Sequence, residues 1–153
     1  MDQLLKNSPH FCKFLDVIAE KSPMHHNNLV KHFHRQDTRF WERAEDFAVH
    51  FSRYLQQQGR TIEEAVAAYL HMCHVMLKEQ IRFQRTGTYS CANFDEANKN
   101  VYSEKDKMTD YMIGLALSQY LWNNHYRMLD FFMNGSKNIT GVGQYLEVGV
   151  GHA

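Results

Sequence analysis

At 153 residues the chain is long enough for one domain and for burial of roughly 68–70% of its unfolded surface. Lysine plus arginine equals aspartate plus glutamate at 17 each, so no overall field recruits nucleic acid or an anionic membrane. Three cysteines, Cys12, Cys73 and Cys91, show no CxxC spacing and fit a reducing compartment better than a disulfide framework. With no basic-then-apolar leader and no apolar run approaching about 18 residues, a cytoplasmic protein without a membrane span is expected.

The two prolines each follow a serine, Ser8-Pro9 and Ser22-Pro23, which predicts two helix starts with serine at the N-cap and proline at the first helical position. The first helix is expected to run to about Lys21, with Phe11, Phe14, Leu15 and Ile18 on one face. The second carries Leu29, Val30 and Phe33. Asp37 then caps a longer helix in which Phe40, Ala44, Phe47, Phe51 and Tyr54 recur at three- and four-residue steps, one buried stripe. Gly59 ends it as a left-handed cap.

Thr61 and Glu64 form a capping-box pattern that opens a fourth helix through Ala65, Tyr69, Cys73, Met76 and Gln80, ending near Gly87. Residues 86–93 read as a loop and 94–102 as a short helix. Ser103, with Asp106 three residues on, is the predicted cap of a long segment through Met108, Tyr111, Leu115 and Leu121. That segment is expected to kink at Asn123-Asn124, to resume at His125 and to stop at Asn134-Gly135. Residues 136–143 read as a linker. Gln144 to Val148 then form a short apolar strand, which has no partner strand within the chain.

Several side-chain groups invite a functional reading. His71 and His74 sit three apart on a predicted helix, but no EXXH pattern elsewhere completes a ligand set, so no metal centre is expected. His25, His26, His32 and His34 read as solvated surface. Lys78, Arg82 and Arg85 recur at helical spacing, either as a basic ridge toward an anionic substrate or partner or, the favoured reading, as a solvated face. Trp122, His125 and Tyr126 gather at the predicted kink and are the candidate substrate-contacting residues. The favoured reading of Trp122 and Tyr126 alone makes them core aromatics with satisfied polar tips. No Gly-x-Ser-x-Gly elbow or Cys–His arrangement supports hydrolase chemistry.

The last residues, "YLEVGVGHA", place an acidic residue and alternating glycines directly after the strand. Glycines there permit a tight turn and close approach of a ligand to the backbone. This stretch resembles the first motif of class I S-adenosylmethionine-dependent methyltransferases. Upstream, "MLKEQIRFQRTGTY" and "YMIGLALSQYLWNNHYRMLDFF" are similar to a helical region that precedes the motif in some bacterial methyltransferases, a likeness covering residues 61–133.

The resemblance implies S-adenosylmethionine as cofactor, with Gly149 and Gly151 against its methionine portion and Glu147 orienting the loop or meeting its amino group. Ala153 stands where the family often has a third glycine. An acidic residue that grips the ribose would follow about 20 residues later, beyond Ala153. The expected fold is therefore mainly α: a helical cap or dimerisation domain over residues 1–135, then over 136–153 a linker and the first strand and glycine turn of an otherwise missing Rossmann-like domain.

The function implied is the substrate-recognition, lid or dimerisation part of such a methyltransferase, truncated and inactive alone. A small-molecule methyl acceptor is expected in the intact enzyme, with no nucleic acid or membrane partner. The alternative is a stand-alone helical module without enzymatic activity, and both readings favour a homodimer.

Overall fold

The computed structural model describes residues 7–91, 93–98, 103–144 and 146. Among them it contains seven helices and no strand: α1 (Pro9–Lys21), α2 (Pro23–Phe33), α3 (Thr38–Gln57), α4 (Ile62–Thr86), the one-turn α5 (Phe94–Ala97), α6 (Lys105–Leu121) and α7 (Asn123–Ser136). The described chain is mainly α, and no helix in it is long and apolar enough to cross a membrane. Of the predicted strand, Gln144 and Leu146 lie in no regular element, and Tyr145, Glu147 and Val148 fall outside the described residues.

Short-range polar signals set several helix ends. The Asp37 carboxylate accepts the Phe40 N–H at 2.9 Å and starts α3. At the start of α4 the Thr61 hydroxyl accepts the Glu64 N–H at 3.2 Å while the Glu64 carboxylate accepts the Thr61 N–H at 2.8 Å, a complete capping box. Gly59 and Gly87 take left-handed conformations at φ +66° and +69°, where a Cβ would be strained.

Several helix ends and one face differ from expectation. Ser8 and Ser22 occupy the N-cap positions, but neither side chain makes a capping bond. For α1 the acceptor comes instead from the middle of α3: Glu45 takes the N–H groups of His10 and Phe11, each at 3.0 Å, and the His10 Nδ1–H at 2.6 Å. Burial alone would raise the Glu45 carboxyl, but these bonds outweigh it and hold the group below the usual carboxylate range.

At the start of α6 the N-cap position is Glu104, not Ser103, and again no side chain caps it. The break after α6 falls at Trp122, one residue before the predicted kink, and α7 runs through Gly135 to Ser136. Tyr54 is 44% exposed, because the buried stripe of α3 runs through Phe40, Trp41, Ala44, Ala48, Phe51 and Leu55, and the drift of a 3.6-residue turn leaves position 54 at its edge.

The core is largely aromatic. Phe40 packs edge-on against Trp41 at 5.5 Å and Tyr126 at 4.7 Å and lies 5.8 Å from Phe33, so α2, α3 and α7 converge on one ring. Phe11 of α1 adds edge-on contacts to Phe33, Phe40, Trp41 and Tyr120. The most extensive helix–helix contact joins α4 to α6. There Gly114 lies so close to α4 that a Cβ would stand 3.2 Å from Tyr69 Cα and 3.3 Å from the Ala68 carbonyl oxygen.

Two expectations follow for stability. Glu45→Ala strips α1 of its cap and should lower the unfolding free energy by about 1–3 kcal/mol, read from urea denaturation followed by circular dichroism. Gly114→Ala gains about 1 kcal/mol of helix propensity, but it forces a methyl against backbone atoms at an overpacking cost of about 1–3 kcal/mol. A lowered thermal midpoint is the expected net result, and an unchanged or raised midpoint would show that α6 moves away freely.

Candidate functional site

The junction between α6 and α7 is built around Trp122. Its extended backbone (φ −109°, ψ 124°) ends one helix and begins the next: its N–H donates to the Ser118 carbonyl at 2.9 Å, and its carbonyl accepts the Tyr126 N–H at 3.0 Å. The indole Nε1–H donates to the Tyr69 hydroxyl oxygen at 2.9 Å. On its other side Tyr69 meets His25 Nε2 at 2.9 Å.

Burial, reinforced by the neighbouring His26, pushes the His25 imidazole below its ordinary pKa and keeps the ring neutral at pH 7, and in its Nδ1–H tautomer the Tyr69 hydroxyl donates to Nε2. Burial raises the Tyr69 phenol well above its ordinary range and keeps that donor in place. The Cys73 thiol adjoins the same hydroxyl, and burial pushes it up as well, which leaves it a poor nucleophile at pH 7.

His125 is oriented by a second relay. Ser118, fully buried, donates its hydroxyl proton to the Leu115 carbonyl at 2.6 Å, so its oxygen accepts from His125 Nδ1–H at 2.8 Å. Burial lowers the His125 pKa, and the neutral ring packs 4.8 Å from Trp122 with Nε2 as its acceptor nitrogen. The arrangement fixes one tautomer of a half-buried imidazole, the state in which histidine accepts a proton or a hydrogen bond.

Of the three predicted substrate contacts, Trp122 and His125 come together in this cluster. Tyr126 does not join them. Its ring packs on Phe40, and its hydroxyl engages Arg43, which in turn holds Asp130 at 2.7 Å. Three members went unseen in the sequence: His25, read there as solvated surface, Tyr69 and Ser118. A tyrosine in the buried stripe of α4 needs a polar partner for its hydroxyl, and that requirement was the available signal. Glu147, Gly149 and Gly151, the predicted cofactor residues, lie outside the described residues.

An apolar groove of about 350 Å³ runs between α4 and the first half of α6, floored by Ala68, Met72, Val75, Met76 and Tyr111. Asp110 at its rim is held by Arg60 at 2.6 Å. A groove of this size suits the apolar part of a small molecule. Among the described residues no three His, Cys, Asp or Glu side chains gather in a way that would hold a metal ion. Comparison with protein-family models, with curated proteins and with solved structures returned no match.

The three depressed histidines, His25, His32 and His125, predict a pH dependence of stability. Each has a folded pKa below its unfolded value of about 6.5, so the unfolded chain binds protons first as the pH falls. Their stabilising contribution is therefore complete above about pH 6.5 and declines as the pH drops from there toward the folded values. Urea unfolding at a series of pH values should show this decline, with a shallower slope in His25→Phe. Equal slopes in the two proteins would remove His25 from the account.

Proposed function

We propose that this chain is the helical lid, substrate-recognition and dimerisation part of a class I S-adenosylmethionine-dependent methyltransferase. The observation that carries the reading is the order of elements: a helical unit with its own aromatic core, an irregular segment after Ser136, and then the Glu147-Val148-Gly149-Val150-Gly151 motif. The donor set suits the cofactor, since a carboxylate matches the ammonium of its methionine portion and two glycines let the backbone approach it. S-adenosylmethionine, when bound, supplies an electrophilic methyl group.

The roles left to this chain are binding and alignment. Glu147, Gly149 and Gly151 hold the methionine portion. The α4–α6 groove takes the apolar part of a small-molecule acceptor, and Trp122 and His125 orient its polar end, so that rate enhancement rests on proximity. The outer side of α7 supports the same reading. Met128, Phe131 and Phe132 are exposed there, Phe131 at 81%, just before the segment that leads to the motif, where an adjoining α/β domain would cover them. A second reading, a helical homodimer without enzymatic activity, is favoured by the exposed apolar side chains of α4.

Calorimetric titration with S-adenosylhomocysteine of the polypeptide encoded by the complete reading frame tests the proposal. Saturable heat that Gly149→Val abolishes is the expected result. Absence of saturable heat from the complete polypeptide would overturn the methyltransferase reading in favour of the homodimeric module.

A further inference from the structure

The side of α4 turned away from the core carries a second pattern that the core does not explain. Ala65, Val66, Ala68, Tyr69 and Met72 face inward and are buried. On the outer side Glu63, Ala67, Leu70, His74, Leu77 and Ile81 recur at steps of four and three residues, the spacing of a helix seam. All are exposed apart from Leu70, which is half-buried against the edge of the core, and Leu77 and Ile81 remain 56% and 45% exposed. The seam runs along a 25-residue helix with acids at one end, Glu63 and Glu64, and bases at the other, Lys78, Arg82 and Arg85. None of those three bases forms an ion pair among the described residues.

We propose that this outer seam of α4 is a homodimer interface, in which the α4 helices of two copies pack antiparallel about a two-fold axis at His74. Charge order selects the direction. A parallel pairing stacks acid on acid and base on base, whereas the antiparallel one sets the acidic first turn of each helix against the basic last turns of its mate. In this register Glu63 faces Arg85 of the second copy, Ala67 faces Ile81, Leu70 meets Leu77, and the two His74 side chains meet at the axis.

Each contact occurs twice, as an isologous interface requires, and the pairing closes at two copies. A chain with equal numbers of acidic and basic residues carries no net repulsion against such association. The pairing specifies the dimerisation role in the reading above and is independent of cofactor binding. Sedimentation reads association and titration with S-adenosylhomocysteine reads the cofactor, so either can fail without the other.

Analytical ultracentrifugation of the chain at micromolar concentrations tests the interface, with circular dichroism confirming equal helicity in every variant. The wild type is expected to sediment as a dimer and Leu77→Glu as a monomer. Arg85→Glu should weaken the dimer roughly tenfold, because two opposite-charge contacts become repulsive. Adding Glu63→Arg to Arg85→Glu in the same chain should restore it. A monomeric wild type, a dimer indifferent to Leu77→Glu, or failure of the paired reversal to restore association would each overturn the proposal.

Discussion

The close approach of α6 to α4 at Gly114 is the constraint on which the other arrangements depend. Without a side chain there, the two backbones come near enough for Ile113, Leu117 and Leu121 to pack from α6 against the inner stripe of α4. That separation sets where Trp122 emerges from the end of α6. It therefore sets whether the indole N–H reaches the Tyr69 hydroxyl. Both the groove and the Tyr69 cluster draw on α4 and α6, the groove through Ala68, Met72 and Tyr111 and the cluster through Tyr69 and Ser118. A slightly wider spacing would lengthen the Trp122–Tyr69 bond and loosen the packing beneath it together, because protein interiors have little slack to absorb such a shift.

Long-range polar ties hold the remaining helices around this pair, and they are unequal. Glu45 joins α3 to the first turn of α1 through two backbone N–H groups, a charge-assisted contact shielded from water. Arg43 is mostly buried and connects α3 to Asp130 of α7, with Asn134 donating to the same carboxylate at 3.0 Å. Breaking either leaves a desolvated charge without its partner, which costs more than the pair gains by forming. The Lys107–Glu104 pair at 3.2 Å is exposed on both sides and contributes little. Orientation of the bundle therefore rests on a few shielded ties superimposed on an aromatic core.

What was legible in the sequence divides along the same line. Signals whose partner lies within a turn were readable: Asp37 with the Phe40 N–H, Thr61 with Glu64, and glycine at positions 59 and 87. Phe11, Phe14, Leu15 and Ile18 are buried as their spacing implies. Signals whose partner is distant were not readable. Nothing local distinguishes Ser8, which looks like a cap, from Glu45, which supplies the cap from 35 residues away. His25 reads as one of a surface group because Tyr69, 44 residues on, is invisible to spacing. The break near Trp122 and the proximity of His125 were legible from composition alone. Tyr126 is the core aromatic with a satisfied polar tip that one sequence reading made it, but its partners Phe40 and Arg43 on α3 were not legible.

Helix α4 brings these levels together. Its first half is held by burial, but from Val75 to Thr86 nearly every side chain is exposed, so burial within the chain does not account for that half. Local terms account for it: a capping box at one end, a left-handed glycine at the other, and lysine, glutamate, glutamine and arginine between them, all good helix formers. A sequence selected only for solubility would pair that backbone with polar residues on the outer side. Here it carries Leu77 and Ile81 at seam spacing, in local conflict with the water around them, a conflict that the proposed pairing of two copies would remove. One helix thus has two duties set by two faces, the inner fixing Tyr69 for the polar cluster and the outer presenting a charge-ordered seam. Any motion that shifts α4 along its axis would be felt at both.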